Sequence, residues 1–397
     1  MKGVPIVMRM KLLPIDYAVR NLGRSPLRLV MSIAGSALVV LLVIAAAAFV
    51  RGMENSLSGS GSPRNIILLG AGSEESIERS EIKASAPSQL AATVPGIRTQ
   101  LGQPFVSSEV HMALPVSITP GAVGTDQVVL RGVNAAAYLV HPQVRIVDGR
   151  APEMGQDEVM VGALIASRLG LQPGQLAVGT TIYFEERPWK IVGRFDAPGT
   201  VMNAEVWVPL TDLMVAAKRE TLSCVVVTLD DAEFEDIDAF AKTRLDLELV
   251  ALTETSYYGQ LVKFYQPVRA MVWVTAALIA LGGVFGGLNT MYAAFASRVR
   301  EIGMLQSLGF SRRAVVVSLM QESVLAALSG ALIAAVLALL LLDGVAVRFS
   351  MGAFGLRLDA ATLALGLLAG LVLGLAGAWP PAVRCLRLPI TEALKAA

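Results

Sequence analysis

Four long apolar segments constrain this chain more than any other feature. Leu29 to Val50 runs 22 residues without a charge between Arg28 and Arg51, and Ala270 to Ser297 runs 28 between Arg269 and Arg298. Ala314 to Leu342 holds one charge, Glu322, and Ala360 to Val383 is 24 uncharged residues closing on Trp379-Pro380-Pro381, an interfacial aromatic and a helix stop. A helix needs roughly 20 apolar residues to cross a hydrocarbon core about 30 Å thick, and no unpaired backbone is tolerated there. The expected fold is a membrane protein with four transmembrane α-helices and a large α+β extracytoplasmic domain inserted between spans 1 and 2. A composition 54% hydrophobic and only 16% charged excludes a disordered chain.

Lys and Arg on short segments set orientation, because long domains are exported regardless of charge. Thirteen basic residues fall on residues 1–28, 298–313 and 384–397, against two, Arg348 and Arg357, on residues 343–359. The expected layout is a cytoplasmic N-terminal segment (1–28), span 1 (29–50), an extracytoplasmic domain (51–269), span 2 (270–297) and a cytoplasmic coupling segment (298–313). Span 3 (314–342), a short extracytoplasmic loop (343–359), span 4 (360–383) and a cytoplasmic tail (384–397) follow. Ala45-Ala46-Ala47-Ala48 resembles a signal cleavage region, but 28 residues ahead of a 22-residue core are too long for one, so an uncleaved anchor is expected. Cys224 and Cys385 then lie on opposite sides of the membrane and cannot bridge.

Residues 51–269 carry 18 basic and 26 acidic residues, a formal charge of −8 that argues against nucleic acid as a partner. Periodicity predicts two α/β pieces flanking a β-rich insert. The first has a strand at Asn65–Leu69, a helix near Pro87–Thr93 and an extended run from Ile97. The second has strands at Cys224–Leu229 and Leu247–Leu252 around a helix near Ala232–Thr243. Short β runs lie between, at Gln127–Val133, Glu158–Val161, Val178–Phe184, Trp189–Phe195 and Glu205–Val208. Gly59-Ser60-Gly61-Ser62-Pro63 reads as a flexible exit from span 1, and residues 253–268 as a helix running straight into span 2.

Catalytic inventories come up short. His111 and His141, the only histidines, read as isolated surface residues without an HExxH motif, so no metal centre is expected. None of the eight lysines follows a glycine and precedes Ser or Thr, so the chain has no P-loop, and there is no GxSxG to seat a serine nucleophile. No catalytic residue and no cofactor are assigned to the chain. Within the spans, Glu322 needs a partner, water or a proton because a bare carboxylate there is costly. Asn289 is placed for a hydrogen bond across helices. Glycines at intervals of four, Gly282/Gly286 with Gly283/Gly287 and Gly366/Gly370/Gly374, suit close helix packing within the chain or between copies.

Ser297 to Arg313, SRVREIGMLQSLGFSRR, is the most distinctive stretch. Its apolar residues Val299, Ile302, Leu305 and Leu308 recur every three positions and drift around a helix of 3.6 residues per turn. Short helices between Gly303 and Gly309 would present apolar and charged side chains together, as a docking surface does.

The run Asn289-Thr290-Met291, Arg298, Arg300-Glu301-Ile302-Gly303, Leu308-Gly309 and Gln321-Glu322 resembles a pattern of the permease subunits of MacB/FtsX-type (type VII) ABC transporters, which include LolC and LolE. Ala18-Val19-Arg20-Asn21-Leu22 with Arg24-Ser25-Pro26-Leu27-Arg28 is similar to their amino-terminal entry. Val147-Asp148-Gly149-Arg150, Glu158 to Gly162, Leu169-Gly170 and Val192-Gly193 are similar to their external core. Pro381-Ala382 through Glu392-Ala393-Leu394 is similar to their tail. Cys385-Leu386 departs from the family pattern.

The resemblance implies a multi-pass protein of the bacterial inner membrane whose external domain has porter and β-rich sabre lobes. It implies partners: a cytoplasmic ABC ATPase pair that binds ATP and Mg, a second permease as homodimer or heterodimer, membrane lipid, and in some machines a periplasmic adaptor. ATPase coupling then falls to Arg300, Glu301, Ile302, Gly303, Leu305, Leu308 and Gly309, with the apolar members buried in the ATPase and the charges at the rim. The expected function is mechanotransmission that exports or extracts a hydrophobic, lipidated or peptide substrate. The alternative is an FtsX-like signalling module that switches an external partner such as a cell-wall hydrolase, and a membrane-anchored enzyme is disfavoured.

Overall fold

The computed structural model describes residues 13, 15–121, 124, 126–172, 174–349 and 352–385, with the side chain of Cys385 outside that set. Lys2, Arg9, Lys11, Arg387, Lys395 and the Glu392-Ala393-Leu394 motif lie outside the described residues. In chain order the helices are α1 (Ile15–Gly23), α2 (Pro26–Ser58), α3 (Ala86–Thr93), α4 (Ala137–Val140), α5 (Ile165–Leu169) and α6 (Leu210–Ala216). Then come α7 (Phe234–Thr243), α8 (Glu254–Phe264), α9 (Gln266–Ala296), α10 (Val299–Ser307), α11 (Arg312–Leu341) and α12 (Ala360–Cys385). The strands are β1 (Asn65–Gly70), β2 (Thr99–Gln100), β3 (Gln103–Pro104), β4 (Val106–Pro115), β5 (Gln127–Val133), β6 (Arg145–Gly149) and β7 (Glu158–Gly162). They continue with β8 (Thr181–Phe184), β9 (Arg187–Asp196), β10 (Glu205–Pro209), β11 (Cys224–Thr228), β12 (Leu249–Thr253), β13 (Ala346–Phe349) and β14 (Gly352–Gly355).

Two compact units result. The membrane unit holds residues 1–50, 268–343 and 357–397, and the inter-span unit holds residues 51–267 and 344–356. Helices α2, α9, α11 and α12 are each long and apolar enough to cross a membrane, so the chain is a multi-pass membrane protein. Helix α12 continues through Pro380 and Pro381 instead of stopping there, forgoing the bonds that two proline nitrogens cannot donate.

The glycines of α12 pack inside the chain. A Cβ on Gly370 would lie 2.6 Å from the Ala331 Cβ, and one on Gly374 2.8 Å from the Val324 Cα. A Cβ on Gly330 would press on Ser36 and lie 2.6 Å from the Ile33 carbonyl oxygen of α2. The Ser323 hydroxyl donates to the Gly374 carbonyl at 3.0 Å, closing the α11–α12 seam. Gly282 and Gly286 of α9 instead meet nothing within 4 Å.

The inter-span unit is built on one ten-stranded sheet, ordered β12-β1-β11-β4-β5-β10-β7-β9-β6 with β8 on β9. The two flanking pieces and the β-rich insert share this one sheet. Strand β1 pairs with both β11 and β12, so the two pieces interleave, and β5 and β10 join them to the insert. Period-2 alternation gives the sheet two buried faces. Val110, Leu130, Val159, Val206 and Val225 belong to one core cluster, and Val133, Met160, Phe195 and Trp207 to the other.

Three further expectations change. Gly59 and Ser60 pack tightly instead of forming a loose linker: a Cβ on Gly59 would lie 2.5 Å from the Gly199 carbonyl oxygen, and the buried Ser60 hydroxyl accepts from the Val201 N–H at 2.9 Å. Small residues sit there because backbones approach closely. Helix α8 ends at Phe264, with Tyr265 as its cap, and α9 begins at Gln266, so the expected continuous helix is interrupted; Pro267 has no N–H for the Lys263 carbonyl. Residues 343–359 are likewise more than a loop. Strands β13 and β14 form a hairpin within the inter-span unit, held by the Arg348 Nε bond to the Ser167 carbonyl at 2.8 Å and by Phe349 edge-on to Tyr265.

Candidate functional site

The segment joining α9 to α11 folds as one helix, α10, that runs through Gly303. It ends because Gly309 adopts a left-handed φ of +90°, open to glycine without steric cost. The Gly309 N–H then reaches the Gln306 carbonyl at 3.1 Å and the Phe310 N–H reaches the Leu305 carbonyl at 3.2 Å, the two bonds of a Schellman cap. Leu305 and Phe310 both rest on the apolar cluster of Met291, Phe295, Ile302, Val315 and Leu319. The Ser311 hydroxyl caps α11 by accepting from the Ala314 N–H.

Helix α10 therefore has two distinct faces. Ile302 is 2% exposed within that cluster and Gly303 is buried, so both serve the chain's own core. Leu305 is half-buried. Arg300, Met304, Leu308 and Gly309 are exposed, Leu308 at 75%.

Glu301 turns inward. Arg298 donates through Nε to Glu301 Oε2 and through Nη1 to Glu322 Oε2, both at 2.9 Å. Glu301 Oε1 accepts from the Tyr17 hydroxyl at 3.0 Å and from Arg24 Nη1 at 2.7 Å. Burial pushes the Glu301 carboxyl up, but Arg298, Tyr17 and Arg24 together outweigh it and hold it below the usual carboxylate range. For Arg298 burial works against the charge, and the two carboxylates more than reverse that. One guanidinium thus ties α10 to α11, and Glu301 ties α10 to α1 and to the turn between α1 and α2. Asn289 lies apart, exposed on α9.

A second polar cluster sits inside the inter-span sheet and corrects the reading of the histidines. His111 is 4% exposed and His141 fully buried. Register places His111 and Trp207 on either side of Arg131, and Cys224 opposite Glu109. Arg131 donates to Glu205 through Nε and Nη2, both at 2.7 Å, and to Glu109 through Nη1 at 2.9 Å. Glu109 also contacts His141 Nε2 at 2.8 Å and His111 Nε2 at 3.2 Å. Burial raises Glu109, but His141 and Arg131 hold it well below the usual range; burial and the Arg131 charge lower His111 against the pull of Glu109 and Glu205. Glu254, pushed up by burial, accepts from the Ser62 N–H at 2.7 Å and from Asn65 Nδ2 at 2.9 Å.

Glu109, His111 and Cys224 bring one ligand atom each within 4.8 Å of one another. They make a poor metal centre. Arg131 already occupies the cation position beside Glu109, and burial pushes the Cys224 thiol up, away from the thiolate a metal needs. The cluster is a closed ion network.

Comparison with known families decides what chain carries these features. The model described as the MacB-like periplasmic core domain matches residues 29–242, and that described as the FtsX-like permease C-terminal matches residues 273–390. The chain belongs to the MacB/FtsX-type ABC permeases. Among solved structures, this permease is similar to the periplasmic region of MacB from Actinobacillus actinomycetemcomitans, at 14% identity and TM-score 0.37, covering 52% of this chain and 94% of that one. It is also similar to the extracellular domain of the noncanonic ABC-type transporter YknZ from Gram-positive bacteria, at 14% identity and TM-score 0.36, covering 47% and 99%. No curated protein matches the permease.

Sequence reasoning missed Tyr17 and Arg24 as partners of Glu301, and the whole Glu109–Arg131–Glu205 cluster. A signal for the latter exists: Glu109, Arg131 and Glu205 are single charges beside strongly apolar strand positions, as in Val-Leu-Arg-Gly-Val and Glu-Val-Trp-Val. A charge that alternation directs into a core needs a buried partner.

Proposed function

We propose that this permease is the membrane subunit of an ATP-driven machine, working as a homodimer or with a sister permease on a cytoplasmic ABC ATPase pair. Its termini face the cytoplasm of a bacterial cell whose inner membrane it spans, and the inter-span unit lies outside. The ATPase pair binds ATP and Mg and docks on the exposed face of α10, through Arg300, Met304 and Leu308, while Ile302 and Gly303 hold that helix on the bundle. ATPase closure moves the external units by mechanotransmission, exporting or extracting a hydrophobic, lipidated or peptide substrate on the outer side.

The observation that carries this reading is the pair of salt bridges from Arg298 to Glu301 and Glu322. A force on α10 reaches α11 through a buried ion pair and the turn leading into α2 through Glu301, so the coupling helix is fastened to the spans it has to move. An FtsX-like signalling module would use the same motion on a different external partner. Co-purification of the cognate ABC ATPase with wild-type and Leu308→Asp protein tests the docking face; equal recovery would remove it. Accumulation of an exported substrate on deletion, against loss of cell-wall hydrolysis, separates transport from signalling.

A further inference from the structure

His141 caps the C-terminal end of α4, and its ring sits between the carboxylates of Glu109 on β4 and Glu254 at the start of α8; no side chain of the three is more than 1% exposed. Its Nε2 lies 2.8 Å from Glu109 Oε1. Its Nδ1 is buried without a hydrogen bond, and Glu254 Oε1 stands 4.0 Å away. Among the described residues Glu254 is hydrogen-bonded only through its other oxygen, which accepts from the Ser62 N–H and from Asn65 Nδ2. Asn65 gives its second amide hydrogen to the Val140 carbonyl at 3.2 Å, so it has none left for Oε1.

A neutral imidazole carries one N–H and one bare lone pair. With the hydrogen on Nε2, the lone pair of Nδ1 faces the Glu254 carboxylate. With it on Nδ1, the lone pair of Nε2 faces the Glu109 carboxylate at 2.8 Å. Either way an acceptor is set against an acceptor away from water, and such unpaired burial is costly. The neighbouring groups do not relieve it. Arg131 on β5 gives its bonds to Glu205 on β10 and to Glu109, and His111 contacts Glu109 from the same strand. Burial raises the phenols of Tyr257 and Tyr258 on α8 and the thiol of Cys224 on β11, which keeps all three uncharged. No charged residue of the inter-span unit lies outside the described set. One further proton resolves the conflict, and burial raises the Glu254 carboxyl in the same sense.

We propose that one proton is held between His141 Nδ1 and Glu254 Oε1, and that it latches the end of α4 to the first turn of α8. Its loss as the surrounding pH rises leaves a buried carboxylate against a lone pair, which drives that turn toward water. Glu254 opens α8, the last helix before α9, and its other oxygen holds Ser62, four residues past the end of α2. The proton therefore governs how firmly the chain leaving α2 and the chain leading to α9 are tied to each other within the inter-span unit.

NMR of the full chain in lipid nanodiscs, with isotope-labelled histidine, reads the ring nitrogens directly; the chain has only two histidines, and His111→Gln assigns His141. At pH 7 the Nδ1 signal should be displaced from the bare-nitrogen position toward the N–H position, and it should reach the bare position in one step as pH rises. Glu254→Gln should lower the midpoint of that step by about one pH unit or more, the scale of a carboxylate lost from within reach of an ionisable group. Glu153→Gln, an acid 68% exposed in the same unit, should leave it where it is. Hydrogen exchange on the same samples, corrected for the intrinsic rate, should show the protection of Ser62 and of residues 254–258 falling about tenfold across the step in wild type and staying level in Glu254→Gln. A bare Nδ1 at pH 7, an unchanged midpoint in Glu254→Gln, or protection indifferent to the step would each overturn the proposal.

Discussion

Arg298 and Glu322, 24 positions apart, meet at 2.9 Å with both side chains almost fully buried. The pair answers how a carboxylate can sit inside an apolar helix: it is neutralised from the neighbouring connection instead of from another span. Arg298 also binds Glu301, so one side chain links α10 to α11.

Removing Arg298 should therefore be costly. Arg298→Ala leaves Glu322 buried and uncompensated, and should destabilise the chain by about 3 kcal/mol. Arg298→Ala with Glu322→Gln should recover much of that loss. Thermal unfolding in detergent across the double-mutant cycle measures it, and strict additivity would show that the two residues are not coupled.

The two faces of α10 should respond in opposite ways to the same substitution. Leu308→Asp places a charge on a surface 75% exposed and should fold normally while losing the ATPase. Ile302→Asp buries a charge in the cluster of Phe295, Val315 and Leu319 and should destabilise the protein by several kcal/mol. Size-exclusion profile and ATPase pull-down read both effects; a well-folded Ile302→Asp protein would contradict the assigned face.

Acid should weaken the inter-span unit in two stages. His111 is lowered from its ordinary value, so the unfolded state takes up its proton first, and its contribution holds above about 6.5 and is lost as pH falls from there through its lower native value. Glu109 and Glu205 are also lowered, so their contributions hold above the ordinary carboxylate value and go as pH falls through their native values. Glu254 is raised and works in the opposite direction, losing stability as pH climbs from the ordinary carboxylate value to its own. Denaturant midpoints followed by fluorescence, with Trp189 and Trp207 buried in this unit, should fall from pH 7 to pH 5, and His111→Gln should remove the first stage. A flat midpoint over that range would count against the network.

Glycine positions that look alike in sequence should differ in tolerance. Gly330→Leu must displace α2 and should cost at least 1–3 kcal/mol by overpacking. Gly282→Leu meets open space within the chain and should leave monomer stability unchanged. Unfolding temperatures of the two variants under identical detergent conditions decide the point.

Much of the architecture is local and was readable. The spans follow from uninterrupted apolar length, because a bilayer excludes unpaired backbone and charge from any segment that crosses it. Individual strands such as Gln127–Val133 follow from runs of alternating and β-branched residues, and the family motifs around Arg300-Glu301-Ile302-Gly303 are contiguous. What escaped was non-local. Alternation says that Glu109 and Arg131 point to a face, but not that β4 and β5 are neighbours or that Glu205 arrives on β10. The three-residue spacing of Val299, Ile302, Leu305 and Leu308 drifts around the helix, so only packing against Phe295 and Leu319 decided which of them turned inward. Tyr17 reaches Glu301 across 284 positions, and no pattern along a chain encodes that distance. Hydrophobic length and period act within a segment, whereas ion pairs are chosen by which segments the folded core brings together, and for that reason the sequence determined the elements while the tertiary structure alone decided the site.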